Sequence, residues 1–196
     1  MQRRLVPPVA AILLALGACS TTSAPDVPVA EVKPPAATGF VMPEGYRWSR
    51  GDAPASHAAM QAQFGVETIS PNKYRWADDV PAEGEVRLVV DLKEQMMFAW
   101  KGDVLVGASS ISSGKEGKET PFGYWTIESK HKRYFSRKYD NAPMPYFQRW
   151  DEFGIGVHGG HNPGYPASRG CVRVPNEFAA KLFALTVNGT EVTIEG

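Results

Sequence analysis

From residue 85 onward the chain alternates. Val86, Leu88, Val90 and Leu92 fall on one side and Arg87, Val89 and Asp91 on the other, the period of two that predicts a half-buried strand. Apolar runs at 96–100 and 104–108, separated by Lys101-Gly102-Asp103, predict a hairpin. Residues 124–127, 155–158 and 192–194 read as further short strands. After Asn176 the period lengthens. Phe178, Leu182 and Leu185 share one helical face, Asn176 is the expected N-cap, and Asn188-Gly189 turns the chain into its last strand. Short strands punctuated by turns predict a mainly β domain over 85–196, a sandwich or partial barrel with one or two short helices.

Upstream, residues 43–84 are expected to form an extension packed on that domain. A short helix is expected over 54–64, and Trp48, Tyr74 and Trp76 supply apolar surface. Residues 19–42 carry Pro25, Pro28, Pro34 and Pro35 among small residues and read as a flexible tether. Residues 1–18 begin with Arg3 and Arg4, continue as an apolar run too short to span a bilayer, and have the form of a secretory signal. The sequence Leu16-Gly17-Ala18-Cys19, followed by Ser20, resembles a bacterial lipoprotein processing site. That resemblance implies cleavage before Cys19 and lipid on its thiol and new amino group. It also implies a periplasmic protein anchored in the outer membrane. The alternative is an ordinary cleaved signal.

Composition narrows the function classes. At 43% hydrophobic and 21% charged residues, the chain is ordinary globular material rather than disordered. Lys+Arg and Asp+Glu are both 21, so there is no overall basic field for nucleic acid. The local basic run Lys130-His131-Lys132-Arg133, with Arg137 and Lys138, reads as a solvated face or as an attraction for anionic wall polymers. Its aromatic neighbours read as a lid or as packing.

With Cys19 assigned to lipid, Cys171 has no disulfide partner, and an odd thiol in an exported protein asks for a reason. It lies in Ser168-Arg169-Gly170-Cys171-Val172-Arg173, among small, polar and cationic groups that favour thiolate. Gly170 allows an unusual backbone angle, and such a turn aims amides at a developing oxyanion. The base candidates are His158, at a strand end before Gly159-Gly160, and His161 in the following loop. A zinc site from His158, His161 and Cys171 is a weaker reading, lacking a second cysteine or a carboxylate set.

His158-Gly159 followed by the hexapeptide 168–173 resembles the signature of the L,D-transpeptidase (YkuD-type) catalytic domain. Val90-Asp91-Leu92 with Gln95, Ser113-Gly114, Thr120-Pro121-Phe122-Gly123 and Met144-Pro145-Tyr146-Phe147 extend the likeness over 85–196. The resemblance implies acyl transfer on peptidoglycan stem peptides without metal or organic cofactor. Cys171 would be the nucleophile, His158 the general base and acid, and the Gly170 backbone part of the oxyanion site. Arg173, Ser168, Arg169, Gly159 and Tyr146 are the expected substrate contacts. The acceptor is left open between another stem peptide, an anchored wall protein and a free D-amino acid. A hydrolase or carboxypeptidase using the same thioester, and a non-catalytic wall-binding lipoprotein, are the alternatives. Two departures stand out: Arg169 replaces a histidine that many members carry, and the His158–Cys171 separation is short.

Overall fold

Helix α1 (Asp52–Phe64) leads through a turn to β1 (Tyr74–Trp76) and then to a meander of β2 (Val86–Asp91), β3 (Met96–Lys101) and β4 (Val104–Ser110). The computed structural model describes residues 48–196, all within one compact unit, and these are mainly β with two helices. The leader 1–18, Cys19, the tether 19–42 and the first residues of the 43–84 extension lie outside the described residues. Beyond the meander come β5 (Gly123–Thr126), β6 (Ser129–His131), β7 (Phe147–Arg149), β8 (Gly156–Gly159), β9 (Val172–Val174), α2 (Asn176–Leu185) and β10 (Glu191–Glu195).

Six strands form one sheet in the order β1-β4-β3-β2-β10-β5, and four form a second in the order β6-β7-β8-β9. The larger sheet is antiparallel except where β10 runs parallel to β2, Val192 beside Leu88 and Ile194 beside Val90. Leu88, Val90, Met97, Val192 and Ile194 join Val157, Val172 and Val174 of the smaller sheet and Phe178 and Leu182 of α2 in one core. This is the layering that alternating apolar positions require.

The predicted half-buried strand is buried on both faces. Val89 and Phe98, on the opposite side of β2 and β3, pack with Met60 and Ala53 of α1 in a second core. Ser56 binds this helix to the sheet by accepting the Trp100 Nε1–H at 3.0 Å. Helix α1 starts at Asp52, earlier than its sequence suggested, because the buried Glu195 carboxylate receives the N–H groups of Arg50, Asp52 and Ala53. Helix α2 is capped by the Pro175 backbone, and Asn176 makes no side-chain cap. The Asn176 Oδ1 instead fills the space left by the missing side chain of Gly159, where a Cβ would come within 2.5 Å of it.

Candidate active site

Strands β8 and β9 run parallel, pairing Val157 with Val172 and His158 with Arg173. Cys171 precedes Arg173 by two residues, so the sulfur, the guanidinium and the imidazole arise on the same face of the small sheet. That edge is completed by the chain leaving β4, where Ser112 exchanges both backbone hydrogen bonds with Arg173 at 2.9 and 3.0 Å.

The 168–171 turn is held from within and from below. Ser168 Oγ accepts the Gly170 N–H at 3.1 Å and donates to the Cys171 carbonyl. These two bonds cap the turn. Gly170 sits at φ 118°, a conformation side chains disfavour, and a Cβ there would meet Ile155 at 3.2 Å. Thr120 Oγ1 accepts the Gly114 N–H at 2.9 Å and donates to the Gly170 carbonyl at 2.7 Å. Gln95 binds both the Ser113 hydroxyl and its N–H, at 2.8 and 3.0 Å. The Thr-Pro-x-Gly turn, Gln95 and Ser113-Gly114 therefore form a single scaffold beneath the Cys171 loop.

His158 is 8% exposed, and its Nδ1 lies 2.8 Å from the Gly159 carbonyl, which can only accept. Nδ1 therefore carries the proton and Nε2 offers a lone pair. Burial, with Arg173 adding to it, pushes the imidazole down to about 4 against the Gly159 bond, so the ring is neutral at pH 7. Cys171 is partly exposed, yet its Sγ is turned to the Gly154 carbonyl at 3.6 Å rather than to the imidazole. Burial pushes the thiol up to about 11; Gly156 and Arg173 oppose the shift and the neighbouring Asp151 reinforces it. Asp151 is itself buried, with one oxygen accepting the Ile155 N–H at 2.6 Å, so it closes the turn that carries Gly154. Sequence reasoning missed Asp151 because nothing local marks it.

Arg173 is half-buried and donates from Nη2 to Ser112 Oγ at 3.3 Å, leaving Nε without a partner. Arg169 is exposed and lies over the Tyr139 ring at 4.6 Å, which ties the 168–171 turn to the connection between β6 and β7. Gly159 and Tyr146 are placed in packing. The Gly159 N–H is taken by the Pro145 carbonyl, and the Tyr146 ring lies 5.9 Å from that of Phe183. His161 is exposed in its loop. Among the described residues no three His, Cys, Asp or Glu side chains are grouped to hold a metal ion, so the zinc reading lacks a ligand set.

A parallel strand pair that presents a cysteine, a histidine and an arginine on one face defines a thiol-centred site on a two-sheet β scaffold. A sequence model of the YkuD family, the L,D-transpeptidase catalytic domain, matches residues 85–194. The chain belongs to that family. A putative L,D-transpeptidase YkuD of Bacillus licheniformis is 29% identical over 140 residues, covering 68% of this chain and 77% of the relative. Among solved structures, an L,D-transpeptidase from Mycobacterium tuberculosis superposes with a TM-score of 0.55 at 18% identity, covering 73% of this chain and 85% of that one. One from Stackebrandtia nassauensis gives 0.54 at 22%, covering 76% and 80%. One from Mycobacterium smegmatis gives 0.53 at 17%, covering 57% of this chain and only 59% of its own length. These structures share the fold.

Proposed function

We propose that the chain is a peptidoglycan L,D-transpeptidase working through Cys171. The observation that carries this reading is the β8–β9 register, which sets His158 opposite Arg173 and two residues from Cys171 on one face. In the first step Cys171 Sγ attacks the carbonyl of the third residue of a tetrapeptide stem, and its proton passes to His158 Nε2. The resulting imidazolium protonates the leaving nitrogen, the peptide bond breaks, and D-alanine departs, leaving a thioester. In the second step an amine attacks the thioester, His158 takes its proton, and the new amide forms as the thiol is restored.

At rest the thiol and the imidazole are both neutral, so proton transfer accompanies attack and no stored ion pair precedes it. The thiol must first rotate from Gly154 toward the ring. The Gly170 N–H is occupied by Ser168, so oxyanion binding falls to the Cys171 N–H, a contact worth about 3 kcal/mol in comparable sites. The half-exposed Arg173 side chain beside Cys171 suits a stem-peptide carboxylate, which a guanidinium can bind through two parallel bonds. The leader and Cys19 support export and a lipid anchor in the outer membrane, within reach of the wall.

Muropeptide analysis of purified wall treated with the wild type and with Cys171→Ala tests the assignment. New 3–3 cross-linked dimers with D-alanine release are expected from the wild type alone. Equal product from both proteins removes Cys171 as nucleophile, and shortened monomers without dimers identify a hydrolase.

A further inference from the structure

The loop between His158 and Cys171 is tied at three places. At its start the Gly160 N–H donates to the Val174 carbonyl at 2.9 Å, and at its end Ala167 and Ser168 both donate to the Ser113 carbonyl, at 3.1 and 2.9 Å. Its middle is held from outside the family-matched residues 85–194. Asn72, in the turn before β1, donates from Nδ2 to the Asn162 carbonyl at 2.6 Å and accepts the Asn162 N–H on Oδ1 at 2.8 Å. Asn162 is 1% exposed, and its own Oδ1 accepts the Gly164 N–H at 2.8 Å. Pro71 presses so closely that a Cβ on Gly164 would come within 2.9 Å of it. On the other side of the turn, the Lys73 carbonyl accepts the Ser110 N–H at 3.3 Å and its hydroxyl at 3.2 Å.

The clasped loop leads directly to Arg173. The Tyr165 carbonyl accepts the Ser112 hydroxyl at 2.8 Å, and Ser112 Oγ accepts from Arg173 Nη2 at 3.3 Å. At the other end of the loop, the Arg173 Cδ lies 3.4 Å from where a Gly160 side chain would begin. The loop therefore runs beside this guanidinium arm at one end and reaches it through Ser112 at the other.

We propose that Asn72, supplied by the extension that precedes the catalytic domain, is a positioning residue for substrate recognition. It fixes the 160–166 loop so that Tyr165 and Ser112 hold the Arg173 guanidinium toward a carboxylate of the stem-peptide donor. The proposal rests on the acyl-transfer reading above.

The full chain is compared with Asn72→Gly and Asn72→Asp. Glycine keeps the left-handed backbone, φ 59° at this position, and removes both side-chain bonds. Aspartate keeps the acceptor for the Asn162 N–H and loses the donor. Hydrogen exchange over 160–166, steady-state kinetics with a tetrapeptide donor, the thermal midpoint and Cys171 alkylation by neutral iodoacetamide are read together. In Asn72→Gly the Asn162 and Gly164 amides are expected to exchange about tenfold faster. KM for the donor is expected to rise about fivefold with kcat within about twofold, and alkylation to stay unchanged. Asn72→Asp falls between. Unchanged exchange and KM in Asn72→Gly overturns the proposal. So does a fall of kcat, alkylation and thermal midpoint together, which marks a merely structural role. A wild type that consumes no tetrapeptide defeats the transfer reading alone, because exchange still decides whether the clasp holds the loop.

Discussion

The Cys171 thiol and the His158 imidazole are both uncharged at neutral pH, and that has a measurable signature. Thiol alkylation tracks the thiolate, so a Cys171 pushed up to about 11 reacts faster with each rise in pH well past neutrality. At pH 7 iodoacetamide should modify it on the order of 100-fold more slowly than a free cysteine, whose pKa is about 8.5. Alkylation rates from pH 6 to 11, followed by intact mass, check this. A plateau reached near pH 7 would mean a preformed thiolate–imidazolium pair. Both residues were legible in the sequence, because a lone thiol in a glycine-bearing basic turn and a histidine at a strand end are local patterns. Asp151 and Asn72 were not. Their roles come from backbone groups that only the fold brings to them, the Ile155 N–H for one and Asn162 for the other.

At the scale of elements, the site depends on the turn between β4 and β5 as much as on β8 and β9. Thr120 is 2% exposed and links that turn to the Gly170 carbonyl. Thr120→Val should leave the buried Gly170 carbonyl and the half-buried Gly114 N–H unpaired and cost about 2 kcal/mol, with slower acylation of Cys171, while Thr120→Ser restores both. Urea midpoints and single-turnover acylation rates are the measurements. The β2–β3–β4 meander was readable from its period. Its second buried face was not, because whether polar or apolar partners cover a strand is decided by α1, far away in the chain. The short strands β1, β6, β7 and β9 carry only three residues each, too few for a period to show. The Asn176 cap failed because Pro175 occupies the capping position and the Asn176 side chain is drawn to the gap over Gly159.

For the whole molecule, Glu195 is the fastening between the extension and the domain. Its carboxylate receives the Ser49 hydroxyl at 3.1 Å and three backbone N–H groups between 2.7 and 3.1 Å, while Trp48 and Gly196 exchange backbone bonds beside it. Glu195→Ala should cost about 3 kcal/mol, since it strips several charge-assisted bonds from the start of α1. A lowered thermal midpoint with early proteolysis within 48–64 is the expected readout, and an unchanged midpoint would show the strap to be idle.

The position of β10 governs how this molecule can be made. It is the last strand in chain order, yet it lies between β2 and β5 and supplies the parallel partner of one and the antiparallel partner of the other. Until residues 191–195 arrive, β5 has no neighbour in the sheet and one edge of β2 is open. Vectorial synthesis therefore delivers a chain whose largest sheet closes only once residues 191–195 have emerged. Deletion of residues 191–195 would disable folding more thoroughly than most lesions around Cys171.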